Sequence, residues 1–196
     1  MRSLIEKDLQ EIAERFPDLN SSIRKQRIWG TLRFACSYSS VMNQLSYSGE
    51  FECFIKEDYE IEIDFSRQDS NGVPFVFERS QIVRSFAISN NIKLPDLHIY
   101  EDDSCCLGIF PEYQWQGAVH FIQYKVIPFF YWQSFRRMYG REPWKTLSHG
   151  ILGVAEASRY FQLNKKNAFK GCNRNQPCFC GSGKKSKHCC GKFSGI

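Results

Sequence analysis

Four cysteines stand close together near the C-terminus, in the pattern Cys-x-Cys-x8-Cys-Cys. They are Cys178, Cys180, Cys189 and Cys190. Four thiolates are the ligand set of a closed, tetrahedral structural zinc site, with Zn–S distances of about 2.3 Å. Glycines at positions 181 and 183 let backbone N–H groups approach the sulfurs. The spacing therefore predicts a bound Zn2+. The alternatives are a disulfide pair, free thiols, or His188 as a substitute ligand.

The sequence around these cysteines resembles a known motif. Residues 174–191 read RNQPCFCGSGKKSKHCCG, which resembles the SEC-C motif found at the C-terminus of the bacterial translocation ATPase and in many unrelated proteins. The motif often has His at the fourth ligand position, where Cys190 stands here. The resemblance implies a small zinc knuckle whose folding energy comes from the metal, about 10–16 kcal/mol in finger peptides.

A second thiol-bearing stretch lies in the middle of the chain, where residues 98–107 read HIYEDDSCCL. A thiolate is a strong nucleophile, and a cysteine with polar neighbours is a candidate for covalent catalysis. A buried thiol that only fills space is the structural alternative. The adjacent Cys105 and Cys106 leave open which of the two reacts.

This stretch and its sequel resemble the bacterial branch of the ubiquitin-conjugating-enzyme (UBC) family over residues 1–162. That branch has H-x-Y-x-D-G-x-x-C-L, a Pro, a Trp, and a helix after I-I-P-W. The matching positions are His98, Tyr100, Asp102, Cys106, Leu107, Pro111, Trp115 and 126–129, with His149 at the place of a His often found after that helix. Asp103 replaces the usual Gly, and the His-Pro-Asn triplet of eukaryotic relatives is absent.

The resemblance implies acyl transfer. Cys106 would accept a C-terminal acyl group as a thioester, and an amine would then attack it. His98 would donate to the oxyanion or shape the loop by holding a backbone carbonyl. His149 or Tyr100 would orient the incoming amine, and Asp102 or Asp103 would accept its proton. Relatives in cyclic-oligonucleotide-based anti-phage signalling (CBASS) imply a cGAS/DncV-like nucleotidyltransferase tail as the partner, or else a ubiquitin-like protein.

Three other functions are consistent with the same residues. The departure at Asp103 and the missing triplet favour a non-catalytic binding module of the same fold. The tail from residue 163 to 196 holds eight Lys or Arg and no Asp or Glu, so it can contact nucleic acid, although it also offsets the charge of the thiolates. A papain-like hydrolase is disfavoured, because no triad signature accompanies the cysteine.

The 196 residues and nine cysteines limit the class of protein. The odd number of cysteines, the charged N-terminus and the lack of a secretory segment predict a soluble protein in a reducing cytoplasm. The apolar run at 126–132 is too short to span a bilayer. The length allows one medium domain beside the knuckle.

Apolar periodicity predicts an α+β fold. We expect an N-terminal helix within 4–19, and then a four-stranded antiparallel meander at 28–38, 50–56, 59–65 and 73–77, in which Pro74 indicates an edge strand. After an irregular stretch, a helix begins near Pro128 and ends at Gly140, and another covers 151–161. The predicted organisation is a UBC-like domain (1–162), a basic linker (163–174) and the zinc motif (175–196).

Overall fold

The computed structural model describes residues 2–39, 44–47, 53–69, 72–108, 114–144 and 185. In chain order the elements are α1 (Glu6–Arg15), β1 (Leu19–Ser22), β2 (Arg27–Ser39), β3 (Gln44–Ser46), β4 (Ile55–Gln68), β5 (Pro74–Glu78), α2 (Ile82–Ser89), α3 (Ala118–Phe121) and α4 (Ile127–Tyr139). A 3₁₀ turn covers Leu94–Leu97 and a π-turn covers Ile122–Val126. The predicted α+β class, an antiparallel sheet with several helices, is confirmed.

The sheet has five described strands rather than the predicted four. Their order is β1-β2-β4-β5, with β3 paired to the far end of β2, and every pairing is antiparallel. A separate strand at 50–56 is not found in its described part, since Cys53 and Phe54 are not in a strand and residues 55–56 begin β4, which runs from Ile55 to Gln68 and includes the predicted strand at 59–65. Residues 48–52 lie outside the described residues. The prediction of an edge position for Pro74 is confirmed, since β5 is the last strand of the path.

The two faces of the sheet differ in chemistry, as the alternation in β4 predicts. Tyr59, Ile61 and Ile63 are buried with the apolar residues of β2 and of the helices. The Tyr59 ring lies 4.5 Å from Phe130 of α4, centroid to centroid. The opposite face has cross-strand ion pairs, of which Arg27–Asp64 joins β2 to β4 at 3.1 Å. The helices therefore cover one face, and paired charges cover the other.

The last described helices form one continuous rod. α3 leads into the π-turn, and the π-turn leads into α4. Pro128 stands in the first turn of α4, and Gly140 ends it with a φ of 66°, as predicted. Because Pro has no N–H and its ring crowds the preceding turn, a continuous α-helix cannot pass through it undisturbed. The π-turn directly before Pro128 is one way to absorb that disturbance. The predicted helix at 151–161 lies outside the described residues.

None of the described helices has both the length and the apolar character needed to cross a membrane.

The Asp8 carboxylate joins the N-terminal helix to the C-terminal rod. One oxygen accepts the backbone N–H of Ile5 at 2.9 Å, and the other accepts the backbone N–H of Ala118, also at 2.9 Å. The side chain thus caps the first turns of both α1 and α3, where backbone donors have no partner within the helix. Only 5 % of Asp8 is exposed, and its bond to Ala118 is buried, so water has little access to that donor.

We predict that Asp8→Ala lowers the free energy of unfolding by about 3 kcal/mol, because two N–H groups, one buried and one partly buried, lose a charged acceptor. Urea denaturation followed by circular dichroism measures this difference. Glu11→Ala is the control on the same helix, since the exposed Lys7–Glu11 pair contributes less than about 0.5 kcal/mol. Equal losses in the two variants would contradict the double-capping role of Asp8.

Candidate active site around Cys106

The segment that carries Cys106 docks on the outer edge of β5. The backbone N–H of Cys105 donates to the carbonyl of Val76 at 2.7 Å, and Ser104 forms an antiparallel bridge with Phe77. Edge strands leave backbone groups unpaired, and this segment satisfies part of the β5 edge. The position of Cys106 is therefore set by backbone hydrogen bonds to the sheet.

Residues 98–106 form a small hairpin. Ile99 bridges Cys105, and the backbone N–H of Cys106 donates to the carbonyl of His98 at 2.7 Å. At the tip, Tyr100 donates its N–H to the carbonyl of Ser104 at 2.9 Å, which encloses a three-residue loop. Such loops commonly end with a residue in the left-handed region. The hairpin brings Tyr100 and Cys106 together although five residues separate them in the chain.

Asp103 supplies the left-handed residue of this loop, with a φ of 64°. Glycine adopts this conformation freely, whereas other residues pay about 1–2 kcal/mol, and Asp and Asn somewhat less. Arg84 of α2 holds the Asp103 carboxylate through Nε at 2.8 Å and through Nη2. Asp103 thus adopts the turn conformation that glycine adopts freely, and its ion pair with Arg84 stabilises that conformation.

The two adjacent thiols have different surroundings. Cys105 is 8 % exposed, and burial, followed by the charge of Glu78, raises its pKa well above the ordinary value. The Glu78 carboxylate is fixed nearby because it accepts the backbone N–H of Ile82 at the start of α2. Cys106 is half-buried instead. Of the two adjacent cysteines, Cys106, which stands at the motif position, is therefore the more accessible.

The Cys106 thiol lies near the phenol of Tyr100. Burial raises the pKa of Tyr100, and the charge of Cys106 raises it further. The raised pKa keeps the phenol protonated, so Tyr100 is available as a hydrogen-bond donor. Tyr100 keeps 40 % of its surface exposed, which leaves the pair open to a reactant. Asp69 and Asp102 add negative charge near the phenol.

His98 lies in the same hairpin but contributes through its backbone and its packing. Its carbonyl accepts the N–H of Cys106, and its φ of 55° turns the chain out of the 3₁₀ segment. The imidazole packs edge-on against Trp132 of α4, with 5.6 Å between ring centroids. These contacts give His98 a role in shaping the loop.

Helix α4 also holds the turn that precedes His98. Gln133 donates to the carbonyl of Leu97 at 2.6 Å, and Arg136 donates to the carbonyl of Asp96 at 2.7 Å. The first of these side chains is buried. Because both donors sit on one helix, the start of the cysteine hairpin is fixed to the core of the fold.

Asp102 occupies the tip of the loop. One carboxylate oxygen accepts both the backbone N–H and the hydroxyl of Ser104, and the other lies 3.8 Å from Arg67. About half of the side chain is exposed, 51 %. Asp102 thus stabilises the loop that carries the thiol while remaining in contact with solvent.

The other predicted site residues lie outside the described residues. They are His149, Cys178, Cys180, Cys189 and Cys190. Within the described ranges, no group of three or more His, Cys, Asp or Glu side chains is placed to hold a metal ion. Trp115, part of the UBC-like pattern, packs against Phe65 and Phe121 and belongs to the core.

Sequence reasoning missed Arg84 and the helix that carries it. The signal is present in the chain, since Ile82, Val83, Phe86 and Ala87 have the spacing of one helical face. The contribution of α4 through Gln133 and Arg136 has no comparable local signal, because it depends on tertiary packing.

Comparison with known proteins identifies the C-terminal motif. A family model described as the SEC-C motif matches residues 174–192, which confirms the motif predicted there. Zinc binding is typical of that kind of motif. The match does not extend into residues 1–173, and neither a curated protein nor a solved structure matches the chain.

We predict that iodoacetamide modifies Cys106 faster than Cys105 in the folded protein at pH 8. The raised pKa of Cys105 keeps its thiol protonated there, and each unit of pKa lowers the reactive thiolate about tenfold. Peptide mapping with fragment-ion mass spectrometry resolves the two neighbours, and a urea-denatured sample, in which the rates become equal, is the control. Faster modification of Cys105 would assign the reactive thiol to the other residue.

Proposed function

We propose that the region up to residue 162 is a UBC-like conjugating domain in which Cys106 carries a C-terminal acyl group as a thioester. The observation that carries this proposal is the position of the half-buried Cys106 beside Tyr100 on a hairpin fixed to the sheet edge. An accessible thiol beside a protonated phenol is suited to acyl transfer, because the same donor can serve the thiolate and the oxyanion of the tetrahedral intermediate. The element order, an N-terminal helix followed by the sheet and later helices, is consistent with such a fold.

The proposed reaction has two displacement steps. The Cys106 thiolate attacks the activated acyl carbon of the donor, the S–C bond forms, and the activating group leaves. A neutral amine then attacks the thioester, the C–N bond forms, the C–S bond breaks, and the amine proton passes to a base as the thiol is regenerated. Tyr100 stabilises the oxyanion in both steps. Activation of the carboxylate requires another protein or a donor that arrives activated.

The remaining candidates receive different roles. His98 positions Cys106 through its carbonyl. Asp102, with one oxygen held by Ser104 and the carboxylate partly exposed, is placed to accept a proton from an amine that enters from solvent. His149 remains a candidate for orienting that amine.

The partner in this proposal is a cGAS/DncV-like nucleotidyltransferase whose C-terminal tail forms the thioester, within an anti-phage signalling system. This choice rests on the sequence resemblance of the His98–Leu107 stretch. A ubiquitin-like protein with a flexible C-terminus is the alternative donor. Both present a free carboxyl terminus on an extended chain.

A second candidate function is a binding module that uses the same surface without chemistry. This function is favoured because the polar side chains already make structural contacts. The His98 ring packs on Trp132, and the Asp102 carboxylate accepts a hydrogen bond from the Ser104 hydroxyl. In this case partner binding survives the loss of the thiol. A contact of the basic tail with nucleic acid can accompany either function, and it would weaken steeply with added salt.

We predict a covalent adduct when the protein is co-expressed with its genomic neighbours. Intact mass under non-reducing conditions should show an added mass that dithiothreitol removes, because thiols cleave thioesters. The adduct should be absent from Cys106→Ala and present in Cys105→Ala, which is the matched control in the same hairpin. Tyr100→Phe should lower its yield. The binding module would be established instead if the folded wild-type protein carries no adduct and if wild type and Cys106→Ala bind a neighbour equally well.

The SEC-C segment is proposed to be a zinc knuckle with Cys178, Cys180, Cys189 and Cys190 as ligands. The donor set fits the metal, because four thiolates satisfy tetrahedral zinc without water. The bound metal would supply the folding energy of a segment too short for an apolar core. The lysines at 184, 185 and 187 oppose the negative charge of the thiolates.

We predict about one zinc per chain by plasma mass spectrometry of the purified full-length protein, the stoichiometry of a single tetrahedral site. Cys178→Ser and Cys189→Ser should each lose most of the metal, since three thiolates leave the site open. Cys172→Ser is the control, because this residue stands outside the four-cysteine pattern. Retention of zinc in both ligand variants would refute the assignment. Loss of zinc in His188→Ala would instead assign His188 as a ligand.

A further inference from the structure

The closest side-chain contacts from outside to the loop at the tip of the cysteine hairpin come from Arg84. The backbone N–H of Glu78 also donates to the Asp103 carbonyl at 3.4 Å, and Arg67 lies 3.8 Å from Asp102. The Arg84 guanidinium donates to the Asp103 carboxylate through two nitrogens and to the carbonyl of Glu101 at 3.2 Å. Both ionic partners are partly shielded from solvent. Arg84 therefore contacts the first and the last residue of the three-residue loop.

This contact stabilises a backbone conformation that Asp103 adopts at a cost. Without its ionic partner, a residue other than glycine tends to leave the left-handed region. The loop connects the two arms of the hairpin, so a different loop conformation changes how the arms pair. Register matters because a slip of one residue turns every side chain to the opposite face.

The two arms carry the two members of the candidate site. Tyr100 stands at the end of the first arm, and Cys106 is on the second. Their proximity depends on the observed pairing of the arms, in which the Tyr100 N–H donates to the carbonyl of Ser104 and the Cys106 N–H donates to that of His98. The geometry of the loop is thus linked to the contact between the phenol and the thiol.

We infer that Arg84 is a positioning residue for the Cys106 site, and that it acts by holding Asp103 in the left-handed conformation. The inference deepens the proposed function and takes its biological meaning from it. Arg84 does not contact the thiol in this account. Its effect passes through the loop to the position of Tyr100 beside Cys106, so a glycine at position 103 should replace it.

The test is the rate at which iodoacetamide alkylates Cys106 in the full chain, resolved by peptide mass spectrometry. Removal of the phenol donor in Tyr100→Phe should slow alkylation about threefold, the size expected for one partly exposed hydrogen bond. Arg84→Ala should slow it by the same factor, and adding Tyr100→Phe to Arg84→Ala should then change nothing. The double variant Arg84→Ala with Asp103→Gly should recover the wild-type rate and its sensitivity to Tyr100→Phe.

Arg33→Ala is the matched control, because Arg33 also contacts two carboxylates, Asp18 and Asp58, on the sheet. It should leave the rate unchanged. If Arg84→Ala does not fold, Asp103→Gly and Asp103→Ala supply the same comparison. Both lack the ion pair, and only the glycine variant should keep the effect of Tyr100→Phe.

Three results would overturn the inference. The first is that Arg84→Ala is alkylated at the wild-type rate and still responds to Tyr100→Phe. The second is that Arg84→Ala is slow and the added Asp103→Gly does not restore its rate. The third is that Asp103→Gly and Asp103→Ala show the same alkylation rate and the same response to Tyr100→Phe. Alkylation needs no acyl donor. A missing adduct in the co-expression experiment would therefore reject the proposed reaction and leave the positioning role of Arg84 standing.

Discussion

The outer edge of β5 is the constraint on which the candidate site depends. A strand at the end of a sheet has backbone groups that need partners, and the cysteine hairpin supplies them through Ser104 and Cys105. Because side chains alternate along an extended segment, the pairing fixes which thiol faces the interior. Cys105 is buried, and its neighbour Cys106 is left at the surface beside Tyr100. Two chemically identical residues acquire different environments from one set of backbone hydrogen bonds.

The hairpin has two further attachments, and each comes from a different helix. Helix α4 holds the entry to the hairpin through Gln133 and Arg136, and α2 holds its tip through Arg84. The sheet fixes the middle. Three attachments on three elements of the core define the position of a short segment far better than its own loop could. Precise placement of this kind is what a reacting group requires.

Local patterns in the sequence predicted the parts of the fold that local physics determines. The alternation in β4, the edge proline at 74 and the glycine end of α4 are visible in short windows and occur as predicted. The short strands β1 and β3 escaped prediction because pairing with β2, rather than their own composition, makes them strands. The motif position favoured Cys106 over Cys105, and the structure adds that Cys105 is buried whereas Cys106 is half-buried, a difference that depends on the tertiary fold.

The neighbourhood of Tyr100 and Cys106 distinguishes what the two proposed functions would ask of the same residues. Burial and the nearby charge of Cys106 raise the pKa of Tyr100, so the phenol keeps its proton. Sulfur is a weak hydrogen-bond acceptor, whereas an oxyanion formed on a bound acyl carbon would be a far stronger one. A donor that is weakly used in the ground state and strongly used in the transition state accelerates a reaction, whereas one that is equally used in both does not. A conjugating enzyme would use the Tyr100 phenol in that way. A binding module would need only its surface, of which 40 % is exposed, and would make no use of the thiol.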